Sequence, residues 1–444
     1  MMRCGKRVVD LSPNLTAVSR GPESLRIALL SYRSKPHCGG QGVYVRHVSR
    51  ELAELGHHVE VISGQPYPIL DAGPHLTELP SLDLYADEDP FRVPNWREFR
   101  DWIDLVEFAS MGTGGFPEPL TFSLRAARML KRRLADFDVV HDNQTLGYGM
   151  NGIAKAGLPL IATIHHPCSV DRVVEIENAP NLRQNLGKRR WYSFTRMQGR
   201  VARKMSSIVT VSTNSASDIV RDYKVDPDVM RIVPIGVDTT TFRPPTAPRV
   251  PGRIVAVSSS DSPIKGVKIL LEAVAKLRTG HDVELVVVGK PNPDGPVSRA
   301  VVDLNLGDTV RFVSGLSNDG IAELFASAEI AVVPSLYEGF SIPAVEAMAC
   351  ATPLIATTGG ALPEVAGTDG STAVLVKPGD PAELADALSA LFDDADRRQA
   401  IGLAGRRRVE TSYTWRAVAE SMVEVYRDAI ERTASQRVQR DGKA

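Results

Sequence analysis

Cysteine is nearly absent: the chain of 444 residues has four, at Cys4, Cys38, Cys168 and Cys350, with no CxxC and no Cys/His ligand spacing. That scarcity argues against a disulfide framework or a structural zinc site. An excess of one charge is missing as well. Lys plus Arg total 52 against 53 for Asp plus Glu, a formal net charge of −1, whereas a dedicated nucleic-acid binder carries a globally basic footprint. No apolar run approaches the roughly 18 residues needed to cross a bilayer. The amino-terminal stretch MMRCGKRVVDLSPNLTAVSRG lacks the apolar centre of a secretory signal. The expected location is the cytoplasm, with any membrane contact peripheral. At 43% hydrophobic and 24% charged residues, the composition is that of a globular chain with material for more than one core.

Short β-branched runs alternate with longer helical patterns. A polar extension over 1–24 leads into the strand LRIALLSY (25–32), the glycine cluster Gly39-Gly40-Gln41-Gly42, a helix over 43–55 and the strand HVEVIS (58–63). Glycines where a first strand turns into a helix mark a βαβ unit. Further strands read at DVVH (138–141), LPLIATIHH (158–166) and SSIVTVS (206–212). Residues 65–124, rich in Pro, Asp and aromatics, interrupt the rhythm as an insertion, read either as a lid or acceptor-side wall or as an irregular excursion. Four prolines between Pro244 and Pro251 make 243–252 the best domain boundary. The rhythm then restarts: RIVAVS, a helix over 265–278, VELVVVG (283–289), RFVSG, EIAVVPS, TPLIAT and AVLVK. The expectation is two doubly wound α/β domains in tandem, over 25–242 and 253–414, followed by an amphipathic helix over 415–433 that packs back across the cleft, and a polar tail over 434–444.

Two such sheets form a cleft at their strand carboxyl ends. The most informative stretch is PSLYEGFSIPAVEAMACATPLIATTGGALPEVAG (334–367). A strand ends at Ser335, a loop with Glu338 follows, and Pro343 sits near a helix start, where proline is tolerated. Free N–H groups and positive dipole at such a start suit a diphosphate. Glu338 and Glu346 stand eight positions apart, so both carboxylates could accept hydrogen bonds from hydroxyls of one ligand.

This stretch resembles the signature of the retaining family 4 glycosyltransferases, in which two Rossmann-like domains face each other (the GT-B fold). The likeness spans about residues 25–430: the glycine loop at Gly39-Gly40, ATIHH (162–166), PIGVDTTTFRP (234–244), Lys265-Gly266, the paired glutamates, and GG-x-x-PE at 359–364. The resemblance implies that Glu338 holds hydroxyls of the donor sugar and Glu346 the nucleotide ribose. Gly339 and the amides around Phe340, Ser341 and Ile342 would contact the sugar or diphosphate. Lys265 would stabilise the leaving diphosphate, Gly40 would let the first domain's backbone approach it, and His165 would position the transferred sugar and acceptor. The catalytic set so implied is His165, Glu338 and Lys265.

Two positions depart from the pattern. Ser260 stands where the family usually has an Arg on the diphosphate, and Ser341 where it commonly has a glycine. The first leaves more of the leaving-group charge to Lys265 and the helix dipole; the second adds a side chain beside the donor. The implied activity is transfer of a hexosyl unit from a nucleotide diphosphate sugar, UDP-glucose or GDP-mannose, to a hydroxyl of a glycolipid, polysaccharide or small metabolite. Alternatives are a nucleotide-sugar 2-epimerase or hydrolase on the same fold, or a nucleotide-sugar-binding protein without turnover, which Ser260 motivates.

Neither a cofactor nor a metal is expected. Asp87-Glu88-Asp89 superficially looks like an Asp-x-Asp metal motif but lies in the insertion, where a solvated acidic loop is the better reading. His141 ends a strand and could face the cleft. Residues 183–204 interleave Arg and Lys with Trp191, Tyr192 and Phe194, the make-up either of a solvated helix face or of a surface that touches an anionic bilayer or a phosphorylated acceptor.

Overall fold

A computed structural model describes residues 24–35, 40–86, 88–177, 179, 181–258 and 261–441. Among the described residues, thirteen strands fall into two sheets. The first contains β1 (Arg26–Ser31), β2 (His58–Ser63), β3 (His75–Glu78), β4 (Val139–Asn143), β5 (Leu160–Ile164), β6 (Ile208–Thr210) and β7 (Met230–Ile232) in the order β3-β2-β1-β4-β5-β6-β7. The second contains β8 (Val250–Val257), β9 (Glu284–Val288), β10 (Val310–Val313), β11 (Ala328–Val333), β12 (Leu354–Thr357) and β13 (Val374–Val376) in the order β10-β9-β8-β11-β12-β13. Every ladder is parallel. Strand order reverses between β1 and β4 and again between β8 and β11, and ligands of open α/β sheets bind at the carboxyl ends beside such switch points.

Parallel strands buried on both faces need apolar residues at every position, and the two alternating sets go to opposite sides. In β1, Ala28 and Leu30 enter one core while Ile27 and Leu29 enter another. In β8, Ile254 and Ala256 face one way and Val255 the other. Pro251 lies in a central strand, where proline is normally excluded. It is tolerated because the β8–β11 register shifts there, between Ala328 and Ile330.

The last helix, Trp415–Asp441, covers one face of the first sheet rather than the second. Trp415, Val418, Ala419, Met422, Val423, Tyr426 and Ala429 all join the core of Ile27, Leu29 and Val139, at the 3–4 residue spacing of one helix face. Their burial contributes on the order of 10 kcal/mol before entropy.

Several boundaries differ from those expected. The last helix runs on to Asp441 instead of ending at 433. The segment 65–124 holds edge strand β3, the helix Trp102–Gly112 and the start of the helix Glu118–Leu130. Leu82, Leu84 and Tyr85 centre a small core there, with Phe99, Phe108, Phe116 and Trp191 packed around it. β8 begins at Val250, inside the expected linker. Among the described residues no helix is long and apolar enough to cross a membrane.

Candidate functional site

The loop after β8 turns through a 3₁₀ segment, Pro263–Lys265, before the helix Val267–Leu277 starts. Lys265 therefore precedes the helix instead of opening it as expected. The turn depends on Gly266, at φ 67°. A Cβ there would lie 2.0 Å from the Pro334 carbonyl oxygen, so the chain can pass the end of β11 this closely only with glycine. The amide of Leu336 bonds the Ile264 carbonyl at 2.7 Å, fastening the two loops side by side.

That contact brings Lys265 to Glu338. Lys265 Nζ lies 2.9 Å from Oε1 and 3.0 Å from Oε2, and Ser335 Oγ donates to Oε1 at 2.7 Å. A carboxylate has about four lone-pair positions, so Oε2 keeps capacity for a ligand hydroxyl. The GG-x-x-PE stretch supports the backbone beneath: the Ala361 amide bonds the Glu338 carbonyl at 2.8 Å. Gly360, at φ 64°, has room for that approach because a Cβ would meet the Glu338 oxygen at 2.2 Å.

Past Glu338 the chain enters the helix Ile342–Ala349, with Ser341 as its N-cap at φ 97° and ψ 85°. This is backbone that favours glycine, which explains physically why Ser341 is a departure. Its side chain is buried and the hydroxyl has no partner among the described residues. Nor do the amides of Phe340, Ser341 and Ile342 have partners among the described residues. Three free donors at a helix start make an anion-binding surface. Glu346 lies one turn into this helix, its carboxyl likewise without a hydrogen-bond partner among the described residues, and burial pushes it up to about 7. Ser260 and Gly39 lie outside the described residues; Gly40 is the first residue of the helix Gly40–Glu54.

The first domain supplies the opposite wall from the ends of β4 and β5. His165 Nε2 lies 2.9 Å from Asn143 Oδ1, and its amide donates to Gln144 Oε1 at 2.8 Å. The Tyr44 ring sits edge-on to the imidazole at 4.7 Å. Burial first, and His166 second, depress His165 to about 3, so the ring is neutral at pH 7. Gln144 and Leu146 take φ of 59° and 49°, a strained loop of the kind found around functional sites. A Cβ on Gly339 would stand 3.8 Å from His166 Cβ, which puts the end of β5 against the Glu338 loop. His141, by contrast, does not face the cleft. It is fully buried and bonds Tyr426 Oη at 2.9 Å and Thr163 Oγ1 at 2.7 Å.

Sequence reasoning missed Ser335, Asn143 and Gln144. The polar run Asp142-Asn143-Gln144-Thr145 at the end of an otherwise apolar strand was the available signal. In the basic segment, Lys188 pairs with Glu175, Arg190 bonds Ser193 and Thr113, and Arg203 bonds the Tyr223 carbonyl. Glu88 and Asp89 are exposed, while Asp87 lies outside the described residues. No group of three or more His, Cys, Asp or Glu among the described residues could hold a metal ion.

Two family models match the chain: "Glycosyltransferase Family 4" over residues 38–241 and "Glycosyl transferases group 1" over 238–408. Among curated proteins, the MMP alpha-(1->4)-mannosyltransferase of Mycolicibacterium hassiacum is 55% identical over 412 residues, covering 93% of this chain and 100% of that one. The D-inositol 3-phosphate glycosyltransferase of Stackebrandtia nassauensis is 27% identical, covering 94% of each chain. Among solved structures, sucrose-phosphate synthase from Thermosynechococcus elongatus superposes with a TM-score of 0.66 at 23% identity, over 91% of this chain and 98% of that one. Anabaena Alr3699/HepE in complex with UDP gives 0.64 at 16% identity, over 91% and 100%.

Proposed function

The chain belongs to the family 4, group 1 glycosyltransferases, and from that premise we propose that it is a retaining mannosyltransferase. It takes the sugar from a nucleotide diphosphate mannose, GDP-mannose before others, and forms an α-(1→4) bond on an acceptor of the kind named for its relative, MMP. The observation that carries this reading is the convergence of Lys265, Ser335 and Glu338 beside the three unpartnered amides of Phe340, Ser341 and Ile342.

On this reading the diphosphate lies against those amides, with Lys265 between it and Glu338. The ammonium has three donors and can hold both anions at once, so negative charge developing on the leaving diphosphate is met where it appears. Glu338, fixed by Lys265 and Ser335, takes a donor-sugar hydroxyl, and Glu346 the ribose. His165, neutral and tied to Asn143, orients the sugar and acceptor; the acceptor proton goes to the departing phosphate. No metal or cofactor takes part. Closure of the cleft excludes water, which keeps hydrolysis from competing. On this reading the reaction runs in the cytoplasm. The hydrogen bonds and ion pairs that residues of 183–204 make to the rest of the first domain favour a solvated helix face there over a membrane contact.

A thermal-shift panel of GDP-, UDP-, ADP- and dTDP-sugars with the free nucleotides tests the donor, since a ligand bound only to the folded state raises its stability. GDP-mannose should shift the melting point more than the other sugars and differently from GDP. A response confined to the UDP series would replace the mannosyl donor with a glucosyl one. Donor consumption without acceptor would favour an epimerase or hydrolase, and binding without any turnover a non-catalytic protein.

A further inference from the structure

Glu364, the last residue of GG-x-x-PE, has no part in the site described above, yet its carboxylate crosses to the other domain. Both oxygens accept the Thr213 amide, at 3.1 and 2.9 Å. Thr213 is the first residue of the helix Thr213–Tyr223, whose own N-cap is Ser212. An acid from the second domain thus caps a helix of the first, where free N–H groups and helix dipole favour negative charge. The Glu364 backbone is anchored at home, its carbonyl accepting from Arg408 Nη2 at 2.7 Å and Tyr413 Oη at 3.3 Å.

The same helix start grips the donor loop. Ser212 Oγ donates to the Gly339 carbonyl at 2.6 Å and Ser215 Oγ to the same oxygen at 3.0 Å. Asn214 Nδ2 donates to Tyr337 Oη at 2.7 Å, and Tyr337 Oη donates to Asp218. The Gly339–Phe340 peptide is trans, and in a planar trans peptide the carbonyl and the following N–H point in opposite directions. Two hydroxyls that pull the Gly339 oxygen toward the first domain therefore aim the Phe340 N–H away from it. The Phe340 ring is buried against Tyr413 at 5.8 Å, so the side chain is set by one domain and the peptide plane by the other.

We propose that Ser212, Ser215 and Glu364 are positioning residues that couple domain closure to the aim of the Phe340 amide. Resting on the glycosyltransferase reading, this makes the diphosphate-facing donor complete only when the Thr213–Tyr223 helix is docked. Ser212 also accepts the Ser215 amide at 3.0 Å, so its removal would uncap the helix as well. Ser215 and Glu364 are the cleaner positions to change.

The test compares full-length wild type with Ser215→Ala, Glu364→Ala, the double variant and Glu364→Gln. It follows kcat and KM with GDP-mannose and the radius of gyration without ligand by small-angle X-ray scattering. Each alanine variant should lose about tenfold in kcat, with donor KM moving less than about threefold. The double variant should lose little more than the worse single one, because both act through one peptide. Glu364→Gln, which keeps an acceptor at Thr213, should restore most of the rate, and both alanine variants should scatter as more open molecules. A purely structural role would lower the melting temperature and leave kcat at 25 °C and its rescue untouched, which would overturn the proposal. If wild type turns over no nucleotide sugar, the glycosyltransferase reading fails by itself. The scattering then decides this one: radii equal to wild type refute the docking role, and larger radii uphold it.

Discussion

Glu346 has a carboxyl at about 7 because burial disfavours its charge and no partner opposes it. Its ordinary value is 4.5, so between the two the folded state binds more protons than the unfolded state. Stability of the ligand-free protein should therefore fall as pH rises through that window and level off above it. Glu118, also raised to about 7 by burial, adds to the same slope. Glu346→Gln should flatten it in part and raise the melting temperature most near pH 8; melting curves at pH 5.5 and 8 that keep the wild-type difference would contradict this. On the proposed reading, Glu338 and Lys265 separate binding from chemistry. Glu338→Ala frees Lys265 for the diphosphate, so nucleotide binding should persist while transfer drops by about 10² or more. Lys265→Ala should slow the single-turnover rate by a similar factor, and an unchanged rate would exclude it from leaving-group stabilisation. These residues were legible because each sits in one short local motif. Ser335, three positions before Glu338, was part of the same stretch, but a strand-end serine has no distinguishing pattern.

Among the elements, the helix Ile342–Ala349 stores strain at its start. Ser341 at φ 97° occupies backbone that costs an L-residue roughly 1 kcal/mol or more. Ser341→Gly should stabilise the ligand-free fold by about 1 kcal/mol, read as a higher denaturant midpoint at constant m. If the buried hydroxyl serves the donor, the same variant should also raise donor KM. An unchanged midpoint would mean that the turn relaxes without cost. Element boundaries were readable where β-branched runs were long and apolar, as at His58–Ser63, which the structure reproduces residue for residue. They failed at β3 and β7, of four and three residues. Both carry polar side chains that are only partly buried or exposed, so neither leaves a periodic trace. The Trp102–Gly112 and Glu118–Leu130 helices were hidden for another reason: their buried faces contain Asp104, Glu107, Glu118 and Arg125. Arg125 pairs with both Asp104 and Glu107, and Arg33 with Glu118, so charge stands where an apolar stripe would announce a helix.

For the whole molecule, the last helix ties the chain together by returning to the first sheet. Tyr426 Oη satisfies one nitrogen of the fully buried His141 and Thr163 the other, and burial holds that imidazole down at about 3. Tyr426→Phe strands a buried nitrogen and should cost about 1–3 kcal/mol of stability with little effect on kcat; equal loss of activity at temperatures well below melting would contradict a purely structural role. Two α/β domains could be read from the rhythm of strands and helices. The contacts joining them could not: Ser212 and Gly339 are 127 positions apart, and Thr213 and Glu364 are 151 apart. No local pattern records such pairs, since each residue alone is an ordinary helix-start residue or loop glycine.

On the proposed reading, these two domains transfer a mannosyl unit with its configuration kept. The most direct measurement is NMR of the anomeric proton and one-bond C–H coupling of the product that wild type makes from GDP-α-mannose and a mannoside acceptor. The expected outcome is an α-(1→4)-linked product formed together with one equivalent of GDP. A β-linked product, or GDP-mannose left intact across the acceptor series, would contradict it.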